Sequence, residues 1–418
     1  MAAGALQDLP ALGSVAGSRS DARLRVLTMT TLFPSNADPR HGIFVETRLR
    51  KLRDCAPVDL QVIAPVPWFP FDWRIAGRYA AYAATPHLEQ RHGAWIRHPR
   101  FLSIPRVGMA MQPAALASAS LRAAGELLDA GWRCDVIDAH YLYPDAVAAA
   151  VLARRLGRPF VVTARGSDVN LIAQMPAPRR RILAALAQAG RIITVSEALK
   201  RSLVGIGVPG GDIEVLRNGV DIRLFQPTGR DTVRSRLGVQ TAPLIASIGN
   251  LVPLKGHDLA LRATQRIIGA HVVLVGRGPE RGRLGALVEE LGMQQRAHFL
   301  DDLPQSELAS IYSAADVLAL GSAREGWPNV LLEAMACGTP VVAMDVGGVR
   351  EIVTSGAVGE VVATRGAREF AASLERVLAQ RPERAAVRSH AARFSWDPIA
   401  RRYYEILAQV AQGGGGTK

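Results

Sequence analysis

Two glutamates bracket the segment Glu325-Gly-Trp-Pro-Asn-Val-Leu-Leu-Glu333, which runs straight on into Ala-Met-Ala-Cys-Gly-Thr-Pro340. The residue types predict a loop that turns into a helix. Pro328 suits the first helical turn, residues 329–337 include good helix formers, and Gly338 before Thr339-Pro340 ends the run. Glu325 then lies in the approach loop and Glu333 on the first turns of the helix. Between them fall Gly326 and the N–H groups of Asn329, Val330 and Leu331, a helix start whose unpaired donors and dipole favour an anion. Two carboxylates flanking an anion site suit a ligand with hydroxyls on both sides of a phosphate group. A nucleotide sugar has that layout, with Glu333 on the ribose diol, the backbone on the pyrophosphate and Glu325 on the sugar hydroxyls. A single glutamate there would read as a solvated charge; Gly326, Pro328 and the small-residue helix together carry the functional reading.

A second segment supplies the opposite charge. Gly249-Asn-Leu-Val-Pro-Leu-Lys255-Gly256 follows an apolar run and precedes a helical stretch starting near His257. A strand, a loop with a lysine and a helix start form a common phosphate-holding arrangement. Gly276-Arg-Gly-Pro279 also follows a strand and reads equally well as a tight turn that needs glycine. In the first half, Pro39-Arg-His-Gly-Ile-Phe-Val-Glu46 follows the first strand and opens a helix, and Gly42 allows a close backbone approach to a phosphate. Helix packing accounts for Glu46 and Arg48 without any function. His140 ends the run Asp135-Val-Ile-Asp-Ala139, and a histidine at a strand end in an open α/β sheet is expected to point into the crevice.

Short apolar runs alternating with amphipathic stretches must position these residues. Strands are expected at 24–30, 58–64, 135–139, 159–163, 191–195 and 214–216, and again at 244–248, 271–275, 297–300, 317–320 and 341–344. Near-continuous Val/Ile/Leu runs separated by helices imply parallel sheets covered on both faces. The rhythm occurs twice, with a break near Asn218-Gly-Val-Asp221. This predicts an α/β chain of two Rossmann-like, doubly wound domains, 23–217 and 222–395, facing a shared crevice. A disordered lead-in (1–22) and a flexible tail (413–418) flank them. The helix at 396–412 carries a stripe of Ile399, Tyr403, Ile406, Leu407 and Val410 that has to be buried, against the first domain or against a second copy.

Composition narrows the class further. The chain has 418 residues, 49% of them hydrophobic, enough for two cores. Cys55, Cys134 and Cys337 show no metal spacing and fit a reduced, cytoplasmic setting. No stretch is apolar enough to span a membrane, and Asp8 and Pro10 interrupt the N-terminal apolar run, arguing against a signal peptide. The formal net charge of +13 suggests an anionic partner, yet no nucleic-acid-binding module is readable.

The Glu325–Glu333 segment resembles the Glu-x7-Glu motif of retaining glycosyltransferases, above all the large fourth family with the GT-B fold. The lysine loop is similar to that family's Gly-Arg-Leu-x-x-x-Lys-Gly loop, whose Arg and Lys neutralise the leaving pyrophosphate. Asn250 stands where the Arg is often found. The resemblance then leaves Arg324 or Arg277 as the second cation, or Asn250 as a neutral donor. Gly276 and Gly278 match a Gly-x-Gly-Pro turn beside the nucleotide, and Phe299, Leu300 and Leu303 stand where the base is often held. Gly42 matches half of a Gly-Gly pair, and His140 matches a strand-end histidine. Thr163-Ala-Arg165-Gly-Ser-Asp168 is similar to a loop usually reading His-Gly-Thr-Asp. Arg165 replaces the histidine near the anomeric carbon and, unable to act as a base at neutral pH, would bind donor sugar or phosphate. Asp168 is either an acceptor-side contact or a helix cap.

The resemblance implies transfer of a sugar from a nucleotide diphosphate sugar to an acceptor hydroxyl, with no metal and no other cofactor. Lys255, Glu325, Arg165 and His140 are the implied catalytic set. The implied mechanism is a front-face displacement in which the leaving phosphate takes the acceptor proton. The final helix is implied to cross back to the first domain. Competing readings are an epimerase or phosphorylase on the same fold, or a silent nucleotide-sugar sensor. Finally, Pro65-Val-Pro-Trp68-Phe-Pro-Phe-Asp-Trp73-Arg74 places aromatics between prolines, near Arg48, Arg50, Lys51 and Arg53 and near Arg179-Arg-Arg181. Exposed aromatics beside cations suit an anionic membrane surface and a lipid-linked acceptor, as in lipopolysaccharide, exopolysaccharide or glycolipid assembly; the alternative is that the aromatics form a satellite core and the arginines are merely solvated.

Overall fold

The computed structural model describes residues 23–68, 82–103 and 108–413. The expected lead-in, Trp73 with most of its proline-aromatic segment, and residues 414–418 lie outside the described residues.

The first half holds β1 (Leu24–Met29), β2 (Val58–Ile63), β3 (Val66–Trp68), β4 (Leu88–Arg91), β5 (Ala94–Arg97), β6 (Arg100–Leu102), β7 (Val136–His140), β8 (Phe160–Ala164), β9 (Arg191–Thr194) and β10 (Ile213–Val215). Eight of them form one sheet in the order β10-β9-β8-β7-β1-β2-β5-β4, parallel except for β4 against β5. β3 and β6 pair separately. The second half holds β11 (Leu244–Ile248), β12 (His271–Val275), β13 (Ala297–Leu300), β14 (Val317–Leu320), β15 (Val341–Met344) and β16 (Gly359–Val362). They form an all-parallel sheet in the doubly wound order β13-β12-β11-β14-β15-β16. Strands such as β11, Leu-Ile-Ala-Ser-Ile with every residue buried, are what a sheet covered on both faces requires.

Strands at β4, β5 and β16 were not expected, nor the β3–β6 pair. β4 and β5 are half-buried and alternate in burial, so they lack the continuous apolar run that marks the interior strands. Their hairpin turns on His92-Gly93, both at positive φ (46° and 76°), which is two-residue hairpin geometry.

Among its parallel strands each sheet reverses its order at one point, between β1 and β7 in the first and between β11 and β14 in the second. Ligands of open α/β sheets bind outside the strand C-termini at such points. The loops that follow these four strands carry most of the residues singled out above.

The final helix, Trp396–Gly413, returns to the first domain. Tyr403, Ile406, Leu407 and Val410 are buried in one core with Val45, Leu49 and Leu52 of the helix Ile43–Cys55. The apolar stripe is covered by this chain itself, which removes the need for a second copy there. Gly413, expected in the tail, is the last residue of this helix. The chain therefore passes between domains twice. The two crossings run side by side, with Val220 N donating to Phe394 O at 2.9 Å and Val220 bridged to Ser395. Among the described residues no helix is long and apolar enough to cross a membrane.

Candidate active site

A cleft of about 500 Å³ lies between the two switch points. From the sequence-predicted set it gathers Arg165, Asn250, Lys255, Glu325, Gly326, Asn329 and Val330, together with Phe44, Tyr141, Arg324 and Trp327.

The β11 and β14 loops bring opposite charges together. Lys255 Nζ donates to Glu325 Oε1 at 2.7 Å, and Ser322 Oγ donates to the same oxygen at 2.7 Å. Gly256 holds left-handed φ (64°), and its α-carbon faces Gly321 O so closely that a side chain has no room. That glycine-to-glycine contact sets the separation of the two loops. Asn250 is exposed on the cleft side, and its carbonyl lies 3.2 Å from His257 Nε2. Of the two arginines that could add a second cation, Arg324 lines the cleft, whereas Arg277 is exposed near Asp301 at 4.0 Å.

The helix Asn329–Ala336 starts one residue later than expected, with Pro328 just outside it. Leu331, expected to offer its N–H to an anion, donates it to Pro328 O at 3.1 Å, so the free donors are those of Asn329 and Val330. Glu333 does not share the main cleft. It lines an adjoining recess of about 50 Å³ with Asn329, Phe44, Gly219 and Gln305. Tyr312 Oη donates to Glu333 Oε2 at 2.7 Å. Burial raises the Glu333 carboxyl to about 7, only partly offset by the tyrosine hydrogen bond.

His140 is placed differently from the expectation. It is completely buried behind Arg165 and does not line the cleft. Its Nδ1 accepts from Arg165 Nη2 at 2.7 Å, and its Nε2 lies 3.0 Å from Asp138 Oδ2. Because a guanidinium only donates, Nδ1 is unprotonated and the ring hydrogen is on Nε2, which stands beside the aspartate without completing a hydrogen bond. Burial lowers the imidazole to about 4 despite Asp138, so the ring is neutral at ordinary pH. The side chain that reaches the cleft is Arg165, stacked over Phe44 at 5.2 Å. Burial and the neighbouring Arg48 bring its guanidinium down to about 9.

Asp168 resolves as an internal anchor and not an acceptor-side contact. It is fully buried and accepts from the N–H groups of Leu142, Arg165, Gly166 and Val169 at 2.7–3.1 Å. These bonds hold the loop that presents Arg165.

Close backbone packing by itself demands glycine at the predicted glycine positions. A side chain at Gly42 would meet Leu32 O, at Gly276 Gly249 O, at Gly278 Leu251 O, and at Gly326 Arg165 O. The last of these is an interdomain contact. Asp302 also bridges the domains by pairing with Arg40, which in addition donates to Leu303 O.

The basic helix Ile43–Cys55 does not form a free cationic face. Arg48 is wholly buried, donating to Leu216 O, Arg217 O and Asn218 Oδ1, and Lys51 pairs with Asp221 at 2.8 Å. Arg50 lies 3.9 Å from Asp221, and Arg53 donates to His92 O at 2.7 Å. The helix points Arg48, Arg50 and Lys51 at the interdomain linker and Arg53 at the β4–β5 hairpin. Trp68 is partly exposed at the end of β3 opposite Leu102. Exposed Met109, Met111, Leu171 and Met175 lie near the N-terminal ends of the helices Gln112–Asp129 and Pro176–Leu186. Arg179, Arg180 and Arg181 open the second of these helices, and Arg181 donates to Ala110 O.

Sequence reasoning missed Ser322, Tyr312 and Asn218. Ser322 sits three residues before Glu325 and could have been found by inspection. Tyr312 and Asn218 meet their partners only through tertiary packing.

Residues 230–394 match the family described as Glycosyl transferases group 1, and residues 78–224 match Glycosyltransferase Family 4. A D-inositol 3-phosphate glycosyltransferase of Saccharomonospora viridis is 34% identical over 359 residues, spanning 77% of this chain and 82% of that protein. In fold, the chain is similar to sucrose-phosphate synthase from Thermosynechococcus elongatus, with a TM-score of 0.78 at 20% identity over 94% of this chain and 100% of that one. It is also similar to the Anabaena HepE protein in complex with UDP, with a TM-score of 0.70 at 22% identity over 92% and 100%. Two parallel sheets facing a cleft, a returning final helix, and sequence likeness through both halves converge on one conclusion: the chain belongs to the family-4-like glycosyltransferases of the GT-B fold.

Proposed function

We propose that this glycosyltransferase is a retaining enzyme that transfers a sugar from a nucleotide diphosphate sugar during assembly of a bacterial cell-surface polysaccharide or glycolipid. The observation that carries the reading is the single cleft in which Lys255, Glu325 and the start of the helix Asn329–Ala336 meet. Lys255 and the Asn329 and Val330 N–H groups oppose the charge that builds on the departing phosphate, and pre-aimed donors of this kind act most strongly in the transition state. Glu325 accepts from sugar hydroxyls and Glu333 from the ribose diol in the adjoining recess. Arg165, held by His140, adds a cation on the first-domain side. The leaving phosphate itself takes the acceptor proton, and no metal takes part.

HepE was captured with UDP, which makes uridine nucleotides the first donors to test. The acceptor is lipid-linked in this reading, because exposed Met109, Met111, Leu171 and Met175 adjoin Arg179, Arg180 and Arg181 on the first domain, and Leu171 also lines the cleft. A second reading, a soluble phosphorylated polyol acceptor, is favoured by the likeness to the D-inositol 3-phosphate enzyme. The deciding experiment presents UDP-, GDP-, ADP- and dTDP-sugars with a lipid-linked glycan or a phosphorylated polyol and determines the product anomer by NMR. Inversion of configuration overturns the retaining mechanism, and release of free sugar regardless of acceptor overturns transfer.

A further inference from the structure

Asn218 stands at the first interdomain crossing, 4% exposed, and lines neither the cleft nor the recess. Its Oδ1 accepts from Arg48 Nη2 at 3.0 Å and from Arg165 Nη1 at 3.2 Å. Guanidinium groups have only donors, so the oxygen of this amide is fixed toward them and its NH2 toward the opposite side. There Nδ2 donates to Asn329 Oδ1 at 3.2 Å. Asn329 thus commits its oxygen to Asn218. Its own NH2 makes no hydrogen bond to a described protein group, and the residue lines both the cleft and the recess.

We infer that Asn218 is a positioning residue that fixes which end of the Asn329 amide faces the ligand, making Asn329 Nδ2 a donor to a phosphate at the helix start. The inference rests on the nucleotide-sugar reading above. Two arginines of the first domain, Arg48 buried and Arg165 at the cleft, set through two amides in series the polarity of one group in the second. Reversed, the same side chain would present its oxygen to an anion and repel it.

Asn218→Asp isolates this effect. The carboxylate keeps two acceptor oxygens for Arg48 and Arg165 and adds charge between these cations, so the fold is held at least as firmly. It has no hydrogen to give, so Asn329 turns its NH2 toward position 218 and its oxygen toward the ligand. The expected result is an unchanged or higher melting temperature, at least fivefold weaker binding of UDP, GDP, ADP or dTDP by calorimetry, and at least tenfold lower kcat/KM. Asn329→Ala should weaken binding by itself, and adding Asn218→Asp to it should cause no further loss. Wild-type affinity in a stable Asn218→Asp protein overturns the inference alone, as does a full additional loss in the double variant or a lowered melting temperature. A wild-type protein that binds none of the four diphosphates overturns the ligand reading and this inference together.

Discussion

Lys255 Nζ and Glu325 Oε1 meet at 2.7 Å across the switch point of the second sheet, joining the loop after β11 to the loop after β14. The pair is partly open to solvent, with 28% of the lysine side chain and 10% of the glutamate exposed, and Ser322 Oγ still donates to the same carboxylate oxygen when the lysine is removed. Its role lies in chemistry. Lys255→Ala should lower turnover at least tenfold with the melting temperature nearly unchanged, since loss of one pre-aimed donor typically costs on the order of 10²–10³ in rate. Near-normal turnover would take Lys255 out of the mechanism.

The two glutamates occupy different chambers and should fail differently. Glu325→Gln should impair sugar transfer while leaving affinity for the free nucleoside diphosphate close to wild type. Glu333→Gln should weaken the nucleotide itself. Calorimetry with the diphosphate alone separates the two, and equal losses would contradict the division of roles.

Glu333 also sets a pH dependence. Its carboxyl is raised to about 7 by burial, and ribose hydroxyls donate to the ionised form. Donor affinity should therefore be fullest above pH 7 and fall by up to about tenfold per unit as pH drops below it. Glu333→Gln should flatten this profile between pH 5.5 and 8. A glutamine variant that keeps the wild-type slope would assign the titration to another group.

The fold was legible where apolar runs were unbroken, as in β11, β12, β14 and β15, and illegible where burial alternated, as in β4 and β5. At the site, Lys255 and Glu325 were readable because a strand, a loop and a helix start impose their geometry locally. His140 was misread because a strand-end position says nothing about what lies in front of it, here the Arg165 side chain. Asn218 gave no local sign, since its partners Arg48, Arg165 and Asn329 are brought to it only by the packing of both domains.

For the membrane reading, Met111 is 60% exposed and close to Arg181, while Arg48, Arg50 and Lys51 of the helix Ile43–Cys55 face the linker and Arg53 is held by His92 O. Co-sedimentation with anionic vesicles should weaken with salt and fall severalfold for Met111→Asp or for Arg179, Arg180 and Arg181 changed together to Gln. Arg53→Gln should have little effect. Wild-type protein that stays in the supernatant with anionic vesicles at low salt would leave the soluble acceptor as the better reading.

Activity should persist undiminished in EDTA. Loss in EDTA with recovery on adding magnesium or manganese would show a metal-dependent step.

Ile406, 1% exposed, belongs to the first domain's core although it lies in the final helix. Ile406→Ala should destabilise the protein by about 2–5 kcal/mol, the usual range for a buried isoleucine truncated to alanine. Denaturant unfolding monitored by circular dichroism measures this directly.

The return of that helix has a consequence for biosynthesis. A domain whose core is contiguous in sequence can finish folding while the rest of its chain is still being made. Here Tyr403, Ile406, Leu407 and Val410 close a core begun by Val26 and Val45. During translation the first domain must wait, its apolar face uncovered, until the second has emerged from the ribosome. The nascent chain is thus most exposed to aggregation just before the helix Trp396–Gly413 emerges, and a stall ahead of that helix should harm the domain made first.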